Sequence, residues 1–363
     1  MTPGASSLAA AVSGLTRSDP RSPGITRERS REGFRYRDPS GAEVTQREAR
    51  QRIGTLAIPP AWTNVWISPD PLGHIQATGL DSRGRTQYRY HKLWREQRDA
   101  QKFLHMLRFA GVLPTLRAAT MEDLARAGLD RDRVAASAVR LIDLGLFRIG
   151  GEKYAELDHH YGATTLEKRH VTVTRDGIVF DYIAKAGKHR AITVTDDVVL
   201  PTVRALARSD NGLETLFSYQ HAGTWRVLRS HDVSNYIAAR AGGHFTAKEF
   251  RTWNATVLMA LALANAAPSR ATRSREGVVA ASIREVATWL GDTPAVTRKS
   301  YIDPQLIGRY KSAGELPAIP WAPVALPAPA GAEIAVAAFL AAPADRGFMQ
   351  DRGGGQRAPA GGR

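Results

Sequence analysis

The chain has 363 residues, 50 Lys and Arg against 35 Asp and Glu, and a formal charge of +15. Its 43% hydrophobic share supplies an ordinary globular core, while the excess of cations points to a polyanionic partner, nucleic acid first and an anionic membrane surface second. With no cysteine, a disulfide framework and thiolate metal sites are excluded.

Residues 1 to 30 are rich in Ser, Gly, Pro and Arg without a period of 2 or 3.6, and are expected to form a flexible basic arm. The opening MTPGASSLAAAVSGL has no basic stretch ahead of its short apolar run, so it is not read as a secretory signal. From 31 to 105 the alternating runs NVWIS (64–68), HIQATG (74–79) and RTQYRY (85–90) lie between Pro and Gly, which predicts a small antiparallel sheet. A linking helix follows, with Leu93, Ala100, Phe103, Leu104 and Leu107 at helical spacing.

Residues 106 to 312 read as mainly helical, with one interruption. HVTVTRDGIVFDYIAKAGKHRAITVT (170–195) is three β-rich runs joined by a turn at Asp176-Gly177 and a second tip over 184–188. Lys185 is thereby expected on a hairpin tip. Thr246 and Glu249 form a capping box that opens a long apolar helix, placing Arg251 near a helix N-terminus, where an anion is favoured. Residues 313 to 363 are Pro, Ala and Gly-rich and read as a tail, with one short helix around 332–342. The apolar runs at 257–267 and 333–342 are too short to cross a bilayer core. The fold class is therefore α+β: a small antiparallel β domain, then a helical domain carrying a three-stranded hairpin sheet.

Between Arg83 and Arg108 eight cations stand against Glu96 and Asp99, with Tyr88, Tyr90, Trp94 and Phe103 interleaved. A solvated helix face explains a bare charge run, but the strand-borne Gln87-Tyr88-Arg89-Tyr90 adds amide and phenol groups able to reach bases and phosphates. Isolated cations recur near Gly or helix ends: Arg148 in LFRIGGEKYAE, Lys185 in IAKAGKH and Arg251 in TAKEFRTW, with Tyr301 late in the chain in GDTPAVTRKSYIDP. Singly, each is an ordinary surface cation or a core tyrosine. There is no GxxxxGK[ST] loop, no HExxH and no cluster of carboxylates of the two-metal kind. The adjacent His159-His160 pair lacks further spaced ligands and is read as structural or phosphate-facing.

Taken in order, GRTQYRYH (84–91), FRIGGEKYAELDHHYGATTL (147–166), FDYIAKAGKH (180–189), SHDVSNYI (230–237), FTAKEFRTW (245–253) and LGDTPAVTRKSYIDP (290–304) resemble the type IB DNA topoisomerases, in their small poxvirus-type and bacterial form. The resemblance covers about residue 50 to 311. It implies that Tyr301 is the nucleophile, that Arg148 and Arg251 clamp the scissile phosphate and that Lys185 protonates the leaving 5′ oxygen. It further implies that Gln87, Tyr88 and Tyr90 approach the major groove from the small domain, with Tyr154 and Lys248 meeting the duplex from the catalytic domain.

The residue types suit the chemistry. Attack on a phosphodiester builds charge on two non-bridging oxygens, which forked guanidiniums stabilise. A sugar alkoxide is a poor leaving group, so a proton donor helps. No metal and no cofactor are required, because the arginines supply the positive charge. A phosphotyrosyl diester conserves the energy of the broken bond, so no ATP is required. The expected partner is duplex DNA, gripped by a monomer whose two domains close as a clamp about a hinge near 90–110. The expected location is the cytoplasm, on the nucleoid, without a membrane.

One position departs from the family pattern. Nine residues before the tyrosine, where the family usually has His or Asn, stands Asp292, and an ionised carboxylate cannot donate to a phosphate. It is protonated with DNA bound, or turns away to orient Arg251 or Arg148, or slows the enzyme; the second is preferred because cations are its nearest partners. Two rival readings stay open. A tyrosine recombinase shares the catalytic kit, although Lys248 stands where it usually has His; a non-catalytic basic DNA-binding protein would leave Tyr301 inert.

Overall fold

The computed structural model describes residues 14–31, 33–266 and 274–342, and divides the chain into two units, 1–104 and 105–363. The first unit is built on a five-stranded antiparallel sheet in the order β2-β1-β3-β4-β5. Its strands are β1 Ile25–Ser30, β2 Gly33–Arg37, β3 Thr63–Ile67, β4 Ile75–Leu80 and β5 Thr86–Tyr90, with helix α1 Arg47–Thr55 between β2 and β3. Ile25, Val44, Ile53, Val65, Ile67 and Ala77 form its core. The last three strands lie where alternation predicts them.

The expected flexible arm ends sooner than residue 30. Ile25–Ser30 is an interior strand, paired with β2 from Thr26 opposite Arg37 to Ser30 opposite Gly33, and with β3 at Ile25 and Thr26. Only one of its six residues is aliphatic, so no hydrophobic alternation marks it. The half-buried Arg27 fastens it: its guanidinium lies 4.2 Å over the Phe34 ring and donates to the carbonyls of Ile58, Pro59 and Trp62 at 3.3, 3.0 and 2.7 Å. Farther upstream, Thr16 exchanges backbone hydrogen bonds with Leu72 and His74. Residues 1–13 lie outside the described residues.

The linking helix, α2 Lys92–Leu124, begins where periodicity places it. Its buried face is different, however: Trp94, Phe103, Met106, Phe109, Leu113 and Leu116 are inside, while Leu93 and Leu104 stay about half exposed. The second unit then follows with α3 Arg131–Gly145, α4 Glu152–Asp158, the sheet β6 Val171–Val173, β7 Ile178–Ala184 and β8 Lys188–Val194, and α5 Leu200–Arg208. A short hairpin, β9 Ser218–His221 with β10 Thr224–Val227, precedes α6 Ser230–Ala241, α7 Ala247–Asn265, α8 Arg275–Leu290, α9 Pro294–Ser300 and α10 Pro304–Ala313. No helix among the described residues is long and apolar enough to cross a membrane.

Helix α7 is the axis of this unit, buried without a break from Phe250 to Leu263. The Thr246 hydroxyl accepts from Lys248 N while the Glu249 carboxylate accepts from Thr246 N, so the predicted capping box fixes where α7 starts.

The C-terminal region is not merely a tail. Helix α11, Ala330–Ala341, buries Ala332, Val336 and Leu340. Its Glu333 accepts from Arg117 at 2.7 and 3.0 Å and from the Trp253 indole at 3.3 Å. Arg117 also binds Asp143 of α3, which accepts from Asn254 of α7. The short helix expected around 332–342 is present and is docked through every fourth residue. Residues 343–363, the remainder of the predicted tail, lie outside the described residues.

Candidate active site

Tyr301 is placed by two short, separately capped helices. The Thr293 hydroxyl accepts from Val296 N to start α9, Tyr301 closes that helix with its N–H on Thr297 O, and Asp303 caps α10 by accepting from Gln305 N at 2.8 Å. Thr256 of α7 donates to the Tyr301 carbonyl at 3.2 Å, tying this corner to the axial helix. The ring is 7% exposed, and its hydroxyl does not face the apolar interior: it accepts a 2.9 Å hydrogen bond from Arg148 Nη1.

Arg148 follows the end of α3, where Leu146 turns the chain with a left-handed φ of 53°. The next strand of chain is clasped by a tight turn, with Ala163 N on Arg148 O and Thr164 N on Ile149 O at 2.8 Å. Only glycine fits at 162, since a Cβ there would lie 2.6 Å from the Arg148 carbonyl. These bonds hold the arginine's backbone while its guanidinium, about one third exposed, reaches the tyrosine.

Arg251 sits on the second turn of α7, 3% exposed, with its guanidinium 4.9 Å over the Tyr301 ring. Nη1 donates to Leu146 O and Nη2 to Leu290 O, both carbonyls at the C-terminal ends of helices, where no intrahelical N–H is available. Its Nε is buried without a protein acceptor. Burial pulls the guanidinium below its ordinary pKa, opposed by the neighbouring Tyr301 and Asp292.

Asp292 lies between the two arginines. Its oxygens accept from Arg148 Nη2 at 3.0 and 2.8 Å and from Arg251 Nη2 at 2.9 Å. Of the three behaviours considered from sequence, the geometry has the carboxylate turned to the cations and touching both.

Lys185 stands at the β7–β8 tip, in a tight turn where Ala186 and Gly187 take φ of 67° and 70°. Its side chain is exposed and makes no hydrogen bond or ion pair with any described residue. The hairpin is fastened behind the tip. Tyr182 stacks on Phe147 at 5.9 Å, Phe180 meets the same ring edge-on at 4.9 Å, and Arg190 donates to Gly145 O and Trp289 O at 3.2 and 3.1 Å.

Comparison with known proteins decides the family. A profile of the eukaryotic DNA topoisomerase I catalytic core matches residues 91–314, and one of the bacterial DNA topoisomerase IB N-terminal domain matches 33–81. The chain is 32% identical to DNA topoisomerase 1B of Acanthamoeba polyphaga mimivirus over 288 residues, 77% of this chain and 85% of that protein. The chain belongs to the type IB DNA topoisomerases. It is also 20% identical over 244 residues to DNA topoisomerase 1B of Vaccinia virus strain Copenhagen, covering 67% and 74% of the two chains. Among solved structures, a XerH site-specific recombinase bound to palindromic difH substrate aligns over 55% of this chain and 52% of that one, with a TM-score of 0.33 and 14% identity, too remote to carry an argument.

Within this topoisomerase the site residues expected from sequence are brought together unequally. Tyr301, Arg148, Arg251 and Asp292 form one hydrogen-bonded cluster, and Lys185 stands apart on its tip. In the first unit, Tyr88 and Tyr90 share an exposed face of the edge strand β5, their rings stacked at 5.8 Å. Gln87 points to the other face, its amide donating to Asp81 at 2.9 Å. Asp81 in turn is held down to about pKa 2, first by the hydrogen bond from Arg85. Tyr154 on α4 and Lys248 in the first turn of α7 are both exposed.

His159 ends α4 in a left-handed turn with φ of 52°, and no group of three His, Asp or Glu able to hold a metal occurs among the described residues. Sequence reasoning passed over Arg190, which follows directly on the quoted FDYIAKAGKH. Its signal was a cation on the inward phase of a strand, between outward His189 and Ala191.

Proposed function

We propose that this topoisomerase relaxes supercoiled duplex DNA through transient cleavage of one strand, with Tyr301 as nucleophile. Tyr301 Oη, its proton passing to solvent, attacks the scissile phosphorus; the P–O5′ bond breaks, a 3′-phosphotyrosyl linkage forms, and Lys185 delivers a proton to the departing 5′ oxygen. The freed strand rotates, and the 5′ hydroxyl then attacks the phosphotyrosine to restore the backbone. Arg148 and Arg251 stabilise charge on the non-bridging oxygens, and cations beside the phenol favour the negative charge that develops on its oxygen. Asp292 holds one edge of each guanidinium, leaving other N–H groups for the phosphate. ATP and an obligatory metal have no part in the sequence of steps.

The observation that carries this reading is the 2.9 Å contact of Arg148 Nη1 with Tyr301 Oη while Arg251 lies over the same ring. Duplex DNA is met by the cations and the Tyr88–Tyr90 face of the first unit and by Tyr154 and Lys248 of the second. Phosphate contacts supply most of the affinity. The protein works as a monomer clamping DNA, in the cytoplasm and on the nucleoid. The deciding experiment is relaxation of a supercoiled plasmid of arbitrary sequence in EDTA without ATP, beside Tyr301→Phe. Full relaxation by the native chain and none by the variant is expected; equal activity of the two overturns the reading.

A further inference from the structure

Two arginines from different parts of the chain occupy consecutive carbonyls at the same two helix ends. Arg251, from α7, donates to Leu146 O and Leu290 O; Arg190, from β8, donates to Gly145 O and Trp289 O. The first helix end leads into Arg148 and the second into Asp292. Helix C-terminal carbonyls lack intrahelical donors and carry the negative end of the dipole, so a guanidinium suits them on both counts.

Room has been left for the second arginine. Gly291 takes a φ of 63°, and a Cβ there would lie 2.5 Å from Arg190 Nη1. Lys188 adds a weaker contact, with Nζ 3.4 Å from Gly291 O. Tyr182, Asp292 and Arg148 are the other titratable or charged groups facing Arg190, and burial lowers its pKa.

We propose that Arg190 is a positioning residue that registers the hairpin bearing Lys185 against the helix ends that bear Arg148 and Asp292. This rests on the proposed role of Lys185 as proton donor. Arg190 lies opposite Tyr182 in the hairpin register, and Lys185 stands three residues beyond Tyr182, a lever of about 10 Å, so a 10° pivot at that level moves the tip by about 2 Å. A general acid must come within hydrogen-bond reach of the oxygen it protonates, and a shift of that size removes it. The rings of Phe180 and Tyr182 on Phe147 limit how far the hairpin can lift, but stacked rings slide; directional bonds to two carbonyls do not. Arg251 already holds the two helix ends together, so loss of Arg190 frees the hairpin and spares the phosphate clamp.

The test is single-turnover formation of the covalent adduct on a duplex, with the 5′ leaving atom either oxygen or sulfur. A thiolate leaves without a proton, because a thiol has a pKa of about 8.5, far below that of an alcohol. For Arg190→Met the expected result with the oxygen duplex is a rate at least about tenfold below the native chain, with DNA affinity within about twofold. With the sulfur duplex the deficit shrinks to less than about threefold, as it also does for Lys185→Ala. Arg190→Lys, which can reach one carbonyl, falls between, and carries the same comparison if Arg190→Met does not fold. A rate on oxygen within about threefold of native overturns the inference, as does a deficit of equal size on both leaving atoms, which would signal damage to the clamp. Failure of the native chain to form an adduct at all, or adduct formation by Tyr301→Phe, overturns the functional reading instead.

Discussion

Tyr301 Oη accepts a hydrogen bond of 2.9 Å from Arg148 Nη1 across 153 residues of sequence. The same guanidinium grips Asp292 with its other terminal nitrogen, so one planar group orients the phenol and is itself oriented by a carboxylate.

Removing the phenolic oxygen separates chemistry from structure. Tyr301→Phe keeps the ring under Arg251 and loses one hydrogen bond, a cost of about 1 kcal/mol. The variant should melt close to the native protein and bind DNA, yet form no covalent adduct resolvable on a denaturing gel.

Asp292→Asn tests the carboxylate. A neutral amide leaves two close guanidiniums less well compensated, and its NH2 cannot accept from either. Adduct formation at or below the native rate is expected, with stability lower by about 1–3 kcal/mol in chemical denaturation. A cleavage rate raised tenfold or more would mean that the carboxylate handicaps the phosphate site, not that it orients it.

Helix α11 lies beyond the segment matched by the catalytic-core profile, yet its Glu333 joins α2, α3 and α7 through Arg117, Asp143 and Trp253. Glu333→Ala should destabilise the protein by about 2 kcal/mol, because a largely buried guanidinium loses two charge-assisted bonds. Differential scanning calorimetry should register this as a fall of about 5 °C in the transition of the second unit.

Acid should weaken the first unit. Ser18 N donates to His74 Nδ1 at 3.0 Å, a bond that requires an unprotonated Nδ1, and the ring packs edge-on against Trp94 at 4.9 Å. Burial holds the His74 pKa below its ordinary value. The unfolded chain therefore binds this proton at higher pH than the folded one, and stability declines as pH falls below about 6.5. Thermal melts between pH 7.5 and 5.5 should show that decline, with a shallower slope for His74→Gln.

Binding should be dominated by phosphate contacts. If six to ten are made, DNA affinity falls by about 10³ to 10⁵ between 50 and 200 mM salt, readable by fluorescence anisotropy. A flat salt response would remove the basic surface from the account.

The sequence by itself determined a good deal. Alternation marked β3, β4 and β5, the Asp176-Gly177 turn and its neighbours marked the β6–β8 sheet, and the Thr246–Glu249 capping box marked the start of α7, because these signals are local and repeat at the period of the element. Ordered motifs named Tyr301, Arg148, Arg251, Lys185 and the anomalous Asp292. What stayed hidden lacked a local period. β1 is held by its backbone ladder and by the half-buried Arg27, the expected short helix α11 docks through a distant arginine, and Gln87 donates to Asp81 on the face of β5 opposite Tyr88 and Tyr90. Only the tertiary structure decided that Asp292 faces both arginines and that Arg190 and Arg251 share two helix ends. Such contacts join groups as far as 144 residues apart; they depend on where helices stop and which carbonyls are left without donors, and that is fixed only when the whole unit packs.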